Sequence, residues 1–169
     1  MARSADLYNH WFGERMNLSR YLASHGLAQN VVDEFLPLVP PVMPERSCGT
    51  FYDAPSIMNP DRWFHWPGQA RFVVVGQCPN GDGVAVDTEK EPGAVFYVAH
   101  ELLGSDRPTD EMAIRVAGSP SDYVQKLLED DFPSDYWEAR ARNTEPGAPL
   151  NRRPARQREG RSPQRGGGR

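Results

Sequence analysis

Apolar and polar residues alternate at helical spacing in the first part of the chain. This pattern predicts a helix from about Asp6 to Ser24, which His25 and Gly26 end. It predicts a second helix from Ala28 to Leu36, which ends at Pro37 because proline cannot continue a helix. Both helices would pack one apolar face against a core.

The next stretch, from Pro37 to Pro60, contains six prolines and follows no regular period. We expect an ordered but irregular loop there, with no more than one short strand or turn. The larger apolar side chains in this loop need burial, and these are Phe51, Tyr52, Ile57 and Met58.

The middle of the chain consists of β-branched and aromatic runs separated by turns. These runs predict buried strands at Arg71–Gly76, Val84–Asp87 and Ala94–Ala99, followed by an edge-like strand at Met112–Val116. The first turn contains Asn80-Gly81, a pair that favours a hairpin connection with positive φ.

Helical spacing returns after the strands. Ser119 is a candidate N-cap and Pro120 a first helical residue for a helix over Ser121–Asp130. Its apolar stripe would be Tyr123, Val124, Leu127 and Leu128. A final short amphipathic helix is predicted over Phe132–Arg142, through Tyr136 and Trp137.

After Arg142 the composition changes to Arg, Gly, Pro and Gln, with Leu150 as the only large aliphatic residue. Such a segment buries too little apolar surface to offset its ordering entropy. We therefore predict one α+β domain over residues 1–142 and a disordered tail over residues 143–169. The domain would contain a mixed or antiparallel sheet of about four to six strands with helices packed around it.

Charge separates the same two regions. The tail has seven arginines against Glu145 and Glu159, a net charge of +5, so the −4 of the whole chain leaves −9 on the other 142 residues. An acidic body is a poor candidate for binding nucleic acid, whereas the tail could bind RNA weakly. The body would favour a basic protein partner instead.

Several classes of protein are not expected. No apolar run approaches the roughly 18 residues of a membrane span, and no apolar segment precedes a cleavage site at the N-terminus. Cys48 and Cys78 alone cannot build a disulfide framework or a structural zinc site. We expect a cytoplasmic protein without a cofactor, and its oligomeric state stays open.

A collinear set of motifs in the middle of the chain resembles the SMI1/KNR4 superfamily, also called SUKH. A tryptophan-containing segment precedes a strand that ends in glycine, then an N-G-D turn, a short strand ending in aspartate, a G-x-V-x-Y-x-x-H strand and a helix. The similarity covers roughly Asp61 to Leu128. The matching residues are Trp63 or Trp66, Phe72, Gly76, Asn80, Gly81, Asp82, Asp87, Gly93, Val95, Tyr97, His100, Ser121, Tyr123, Val124 and Leu127.

The resemblance implies an α+β fold and a binding function without catalysis. Bacterial proteins of this kind commonly act as immunity proteins that neutralise a cognate polymorphic toxin, often a nuclease. Eukaryotic members are scaffold or regulatory proteins. We therefore expect an immunity protein, and the first alternative is a scaffold or regulatory module that uses the acidic body and the basic tail.

The expected partner surface is an acidic patch on and around the sheet. Its candidates were chosen by charge and expected exposure. Trp63 and Trp66 are further candidates as protein-binding anchors, although packing at the core and flank of the sheet is the favoured interpretation of both. The acidic candidates are Asp53, Asp61, Asp82, Asp87, Glu89, Glu91 and Glu101.

Catalytic and metal-binding interpretations are weaker. Asp82 and Asp87 could bind Ca²⁺, or with His100 form a metal-dependent hydrolase site, but the spacing is not that of an EF-hand loop. The favoured interpretation is that Gly81 and Gly83 allow positive φ while Asp82 bonds the backbone of its own turn. His100 is more simply a hydrogen-bonding cap at a strand end. No catalytic, metal or cofactor residues are assigned.

Overall fold

A computed structural model describes residues 3–42, 49–59 and 71–144. Two of its helices match the predictions for the first part of the chain, and the short strand or turn expected in the proline-rich stretch is a single helical turn after Asp53. The elements in chain order are α1 (Arg3–Ser24), α2 (Gln29–Phe35), a 3₁₀ turn (Leu36–Leu38), α3 (Ala54–Ile57), β1 (Phe72–Gln77), β2 (Gly83–Asp87), β3 (Val95–Val98), a second 3₁₀ turn (His100–Leu102), α4 (Thr109–Met112), β4 (Ala113–Ala117), α5 (Pro120–Lys126) and α6 (Tyr136–Thr144).

The four strands form one antiparallel sheet in the order β1-β2-β3-β4. The predicted α+β class is therefore confirmed, and β4 lies at an edge as expected. A bulge interrupts β1 between Val74 and Gly76. Phe51 forms an isolated bridge with Gly76, where a Cβ would collide with the carbonyl oxygen of Thr50. Glycine thus lets the proline-rich segment approach β1.

Successive side chains of a strand point to opposite faces of the sheet, and here both faces carry buried residues. The larger core lies on the face that carries Val73, Val84 and Tyr97, and it includes residues of α1, α2, α5 and α6. Phe72, Ala85 and Phe96 point to the opposite face, where they belong to a smaller cluster. Positions in β1, β2 and β3 are therefore mostly core positions on both sides, whereas the edge strand β4 is only partly buried.

The proline-rich stretch contributes to the larger core in its described part. Phe51, Tyr52 and Ile57 are buried as predicted, and Met58 packs partly against the same cluster. Asp53 caps α3 by accepting a hydrogen bond from the backbone N–H of Ser56 at 3.1 Å.

The prediction for α5 is correct at its start and wrong at its end. Ser119 is the N-cap, but the helix stops at Lys126, four residues before Asp130. The chain then tightens into i→i−3 bonds, such as the one from Leu128 N–H to the Gln125 carbonyl. This change of winding turns Leu128 out of the apolar stripe, and the residue is 83% exposed.

The last helix, α6, starts four residues later than predicted and continues through Thr144, two residues past the predicted domain boundary. Residues 145–169 lie outside the described part of the chain, as do Cys48, Asp61, Trp63 and Trp66. The predictions made for them stay predictions.

Candidate functional site

Asp82 lies fully buried at the start of β2, so the expectation of an exposed carboxylate is wrong. One oxygen, Oδ1, accepts the backbone N–H of His100 at 3.0 Å and lies 2.8 Å from His100 Nδ1. The other, Oδ2, accepts the side-chain amide of Asn80 at 2.7 Å and the backbone N–H of Tyr136 at 3.1 Å. One carboxylate therefore joins the β1–β2 turn, the end of β3 and the start of α6.

The sequence suggested that the Asp82 side chain bonds the backbone of its own turn, and this is wrong. Within the turn the carboxylate accepts only from the Asn80 side chain, and its backbone donors are the distant His100 and Tyr136. Gly81 has the expected positive φ of 101°, but Gly83 does not have a positive φ. The ring of His100 lies against Gly81, where a Cβ would be 3.4 Å from the ring carbon Cε1. The absence of a side chain at Gly81 therefore leaves room for the His100 ring beside the turn.

Cys78, His100 and Asp82 share this part of the fold, and their types suggest a nucleophile, base and orienting acid. The thiol does not fit that role. Burial, and then the nearby charges of Asp82 and Asp135, raise the pKa of Cys78. Catalytic cysteines have the opposite property, a lowered pKa that favours the thiolate. The environment suits a structural thiol packed in the core.

Asp87 ends β2 and is also fully buried, so it too is not an exposed patch residue. It faces the Arg71 guanidinium, with Nη2 2.6 Å from Oδ2 and Nε 3.2 Å from Oδ1. The backbone N–H groups of Glu89, Lys90 and Glu91 donate to the same carboxylate at 2.9, 3.2 and 3.1 Å. Asp87 therefore closes the β2–β3 turn around an ion pair.

The electrostatics agree with this structural role. Burial by itself would raise the pKa of Asp87, but hydrogen bonds from Arg71 and from the turn outweigh it and hold the pKa below its ordinary value. Arg71 is itself positioned over the ring of Phe72, 4.5 Å from the ring centroid, and also contacts Asp110. The guanidinium thus ties the start of β1 to the end of β2.

Asp82 and Asp87 stand at opposite ends of β2, so the strand separates them by roughly 16 Å at about 3.3 Å per residue. The grouping of both aspartates with His100 around one metal is therefore wrong. Among the residues that the structure describes, no cluster of three or more His, Cys, Asp or Glu side chains could hold a metal ion.

The remaining acidic candidates that the structure describes do not form one continuous patch. Asp53 serves as the α3 cap, and Glu91 pairs with Arg115 at 3.0 Å. Glu89 and Glu101 are exposed, but they precede and follow β3 and so lie toward opposite ends of that strand.

An exposed surface that the sequence did not suggest lies between α5 and α6. We call residues 127–135 the α5–α6 loop. Leu128 projects from it, and the three successive carboxylates of Glu129, Asp130 and Asp131 are exposed and have no ion-pair or hydrogen-bond partner in the described part of the chain. The only signal in the sequence is the run L-E-D-D, and all but the last residue of this run fall within the helix predicted over Ser121–Asp130.

The far end of the loop is held against the core. The Tyr97 hydroxyl donates to the Pro133 carbonyl at 2.9 Å, and the Phe132 ring lies 5.9 Å from that of Tyr123. Beside the loop is a groove of about 170 Å³ whose lining includes Leu127, Glu129 and Phe132. The loop therefore presents an apolar and acidic surface on a fixed base.

These features describe an α+β domain whose buried acids hold the fold and whose exposed acids border an apolar surface. Comparison with known proteins adds no assignment, since no family model, curated protein or solved structure matches the chain. None of the helices in the described residues has both the length and the apolar character needed to cross a membrane.

Proposed function

We propose that this chain is a non-enzymatic protein-binding domain of the SMI1/KNR4 type, an immunity protein that neutralises a basic, nuclease-type toxin. The toxin would be bound in the cytoplasm through a surface that includes the α5–α6 loop. The observation that carries the proposal is the exposed Leu128 beside three carboxylates that have no partner among the described residues. An apolar anchor with a charged rim is typical of protein interfaces.

The charge of the body supports a basic partner. The 142 residues before the tail carry −9, and complementary charge accelerates the encounter of two proteins and disfavours wrong partners. The buried aspartates support binding over hydrolysis, because the hydrogen bonds and the ion pair of Asp82 and Asp87 already use their oxygens within the fold.

The test uses the tagged full chain and two matched variants. The loop variant, E129Q/D130N/D131N, removes the three loop charges, and the control variant, E89Q/E101Q/D106N, removes three exposed charges elsewhere. Proteins that co-purify from the native host are identified by mass spectrometry. The partner is then purified and assayed for nuclease activity with and without equimolar immunity protein.

We expect one stoichiometric basic protein, with activity abolished by the parent chain and by the control variant. Binding to the loop variant should weaken at least about tenfold, since three interfacial charges are lost. If the partner binds the loop variant as it binds the parent but does not bind the control variant, the interface includes the residues changed in the control variant. The absence of any toxin-like partner would overturn the proposal.

A further inference from the structure

The α5–α6 loop lies next to the point where the chain leaves the domain. The side chain of Arg142, in the last turn of α6, donates to the backbone carbonyl of Asp131. Thr144, the last residue of α6, follows two positions later. The tail therefore begins two residues beyond a helix position whose side chain reaches the loop.

The net charge of the tail is positive, opposite to that of the loop. It carries seven arginines from Arg152 to Arg169 against two acidic residues. The first pair, Arg152 and Arg153, starts eight residues beyond Thr144. A flexible linker of eight residues has a mean reach of roughly 15 Å.

We infer that the Arg-rich tail binds the α5–α6 loop of its own domain, with arginines paired to Glu129, Asp130 and Asp131. The inference concerns the chain alone and does not depend on the proposed function. Guanidinium groups form bidentate hydrogen bonds with carboxylates, and the arginine stem can cover Leu128. The Arg142 side chain already reaches the loop, although its bond goes to the backbone carbonyl of Asp131 and leaves the carboxylates to other arginines.

Tethering makes such a weak contact effective. A short flexible linker raises the effective concentration of the tail at the loop to the order of millimolar. A basic partner that uses the same loop would have to displace the tail, so the tail would raise the threshold for binding and favour the partner with the greatest charge complementarity.

The experiment compares amide resonances of the full chain with those of a full-length variant in which all seven tail arginines are glutamine. We expect shift differences centred on residues 128–131 and not on the exposed acids Glu89 and Glu101. Raising NaCl from about 50 mM to about 500 mM should shift the same resonances in the parent toward the values of the tail variant, because the Debye length falls from roughly 14 Å to about 4 Å.

Two matched variants make the result specific. In the loop variant E129Q/D130N/D131N, the tail substitutions should no longer move the resonances of residues 128–131, whereas in the control variant E89Q/E101Q/D106N they should move them as in the parent. Differences confined to the residues next to the tail, around 140–144, would overturn the inference. So would an equal loss of the effect in the control variant, which would indicate a diffuse attraction to the acidic body.

The salt titration is recorded on the unaltered chain, so the salt-dependent shift of the resonances of residues 128–131 does not depend on how any variant folds. The test of tail docking and the test of partner binding can also fail independently of each other. A tail that never contacts the loop would leave the co-purification result untouched, and a missing toxin would leave the resonance shifts as they are.

Discussion

The carboxylates at the ends of β2 and those of the α5–α6 loop have the same chemistry and opposite surroundings. Asp82 and Asp87 are fully buried, and each accepts several hydrogen bonds. The carboxylates of Glu129, Asp130 and Asp131 are exposed, and they accept no hydrogen bond in the described part of the chain. The difference shows that acidic residues in one small domain divide into those whose carboxylates are bonded within the fold and those whose carboxylates face solvent.

The comparison has a physical basis in the cost of burial. A buried charge must be paired and hydrogen-bonded, so its removal leaves other buried groups without a partner. An exposed carboxylate is already solvated, so its removal changes little in the fold. Stability measurements therefore separate the two groups.

The largest loss of stability should follow Asp87→Asn. The change removes the countercharge of Arg71, whose side chain is only 11% exposed, and points an amide donor at the guanidinium. We expect the free energy of unfolding, measured in urea, to fall by about 3 kcal/mol. The control is Asp110→Asn, which removes a second contact of Arg71 at a side chain that is 61% exposed and should cost less than about 1 kcal/mol. Equal losses in both variants would contradict the role of burial.

The next largest effect is expected for Asp82→Asn. The asparagine keeps one acceptor oxygen and presents a donor toward either His100 or Tyr136, so at least one buried N–H loses its partner. We expect a loss of about 2 kcal/mol in urea unfolding. Because Tyr136 starts α6, hydrogen exchange of the α6 amides should accelerate more than that of the β1 and β2 amides. Uniform acceleration would show that Asp82 does not anchor this helix in particular.

A pH series of the unfolding free energy tests whether the charge of Asp87 causes its contribution to stability. Its pKa in the folded protein lies below the ordinary value of 3.8, so its stabilising contribution is present above 3.8 and is lost as the pH falls through the folded-state value. The gap in unfolding free energy between the parent and Asp87→Asn should therefore be constant near neutral pH and shrink below pH 3.8. A gap that does not depend on pH would mean that geometry, and not charge, explains the loss in the variant.

The sequence predicted the sheet well because its signals are local. Runs of Val residues, the Asn80-Gly81 turn and the Ser119 cap each act within a few residues, and the structure has all of them. Burial of Asp82 depends instead on partners 18 and 54 residues away, and no local pattern indicates them. The end of α5 was missed for a related reason, since neither Gly nor Pro marks Lys126, and an unbroken apolar spacing carried the predicted helix to Asp130.

The smallest effect, and the strictest test of the comparison, is expected for the loop variant E129Q/D130N/D131N. None of the three carboxylates has an ion-pair or hydrogen-bond partner among the residues that the structure describes, and a tail docked by exposed charges adds little to stability, so the free energy of unfolding should change by less than about 0.5 kcal/mol. The measurement is again urea unfolding, with E89Q/E101Q/D106N as a control of equal charge change. A loss as large as that of Asp87→Asn would show that the loop acids also hold the fold. A neutral result would leave their contribution to binding as the property that distinguishes them from the acids of β2.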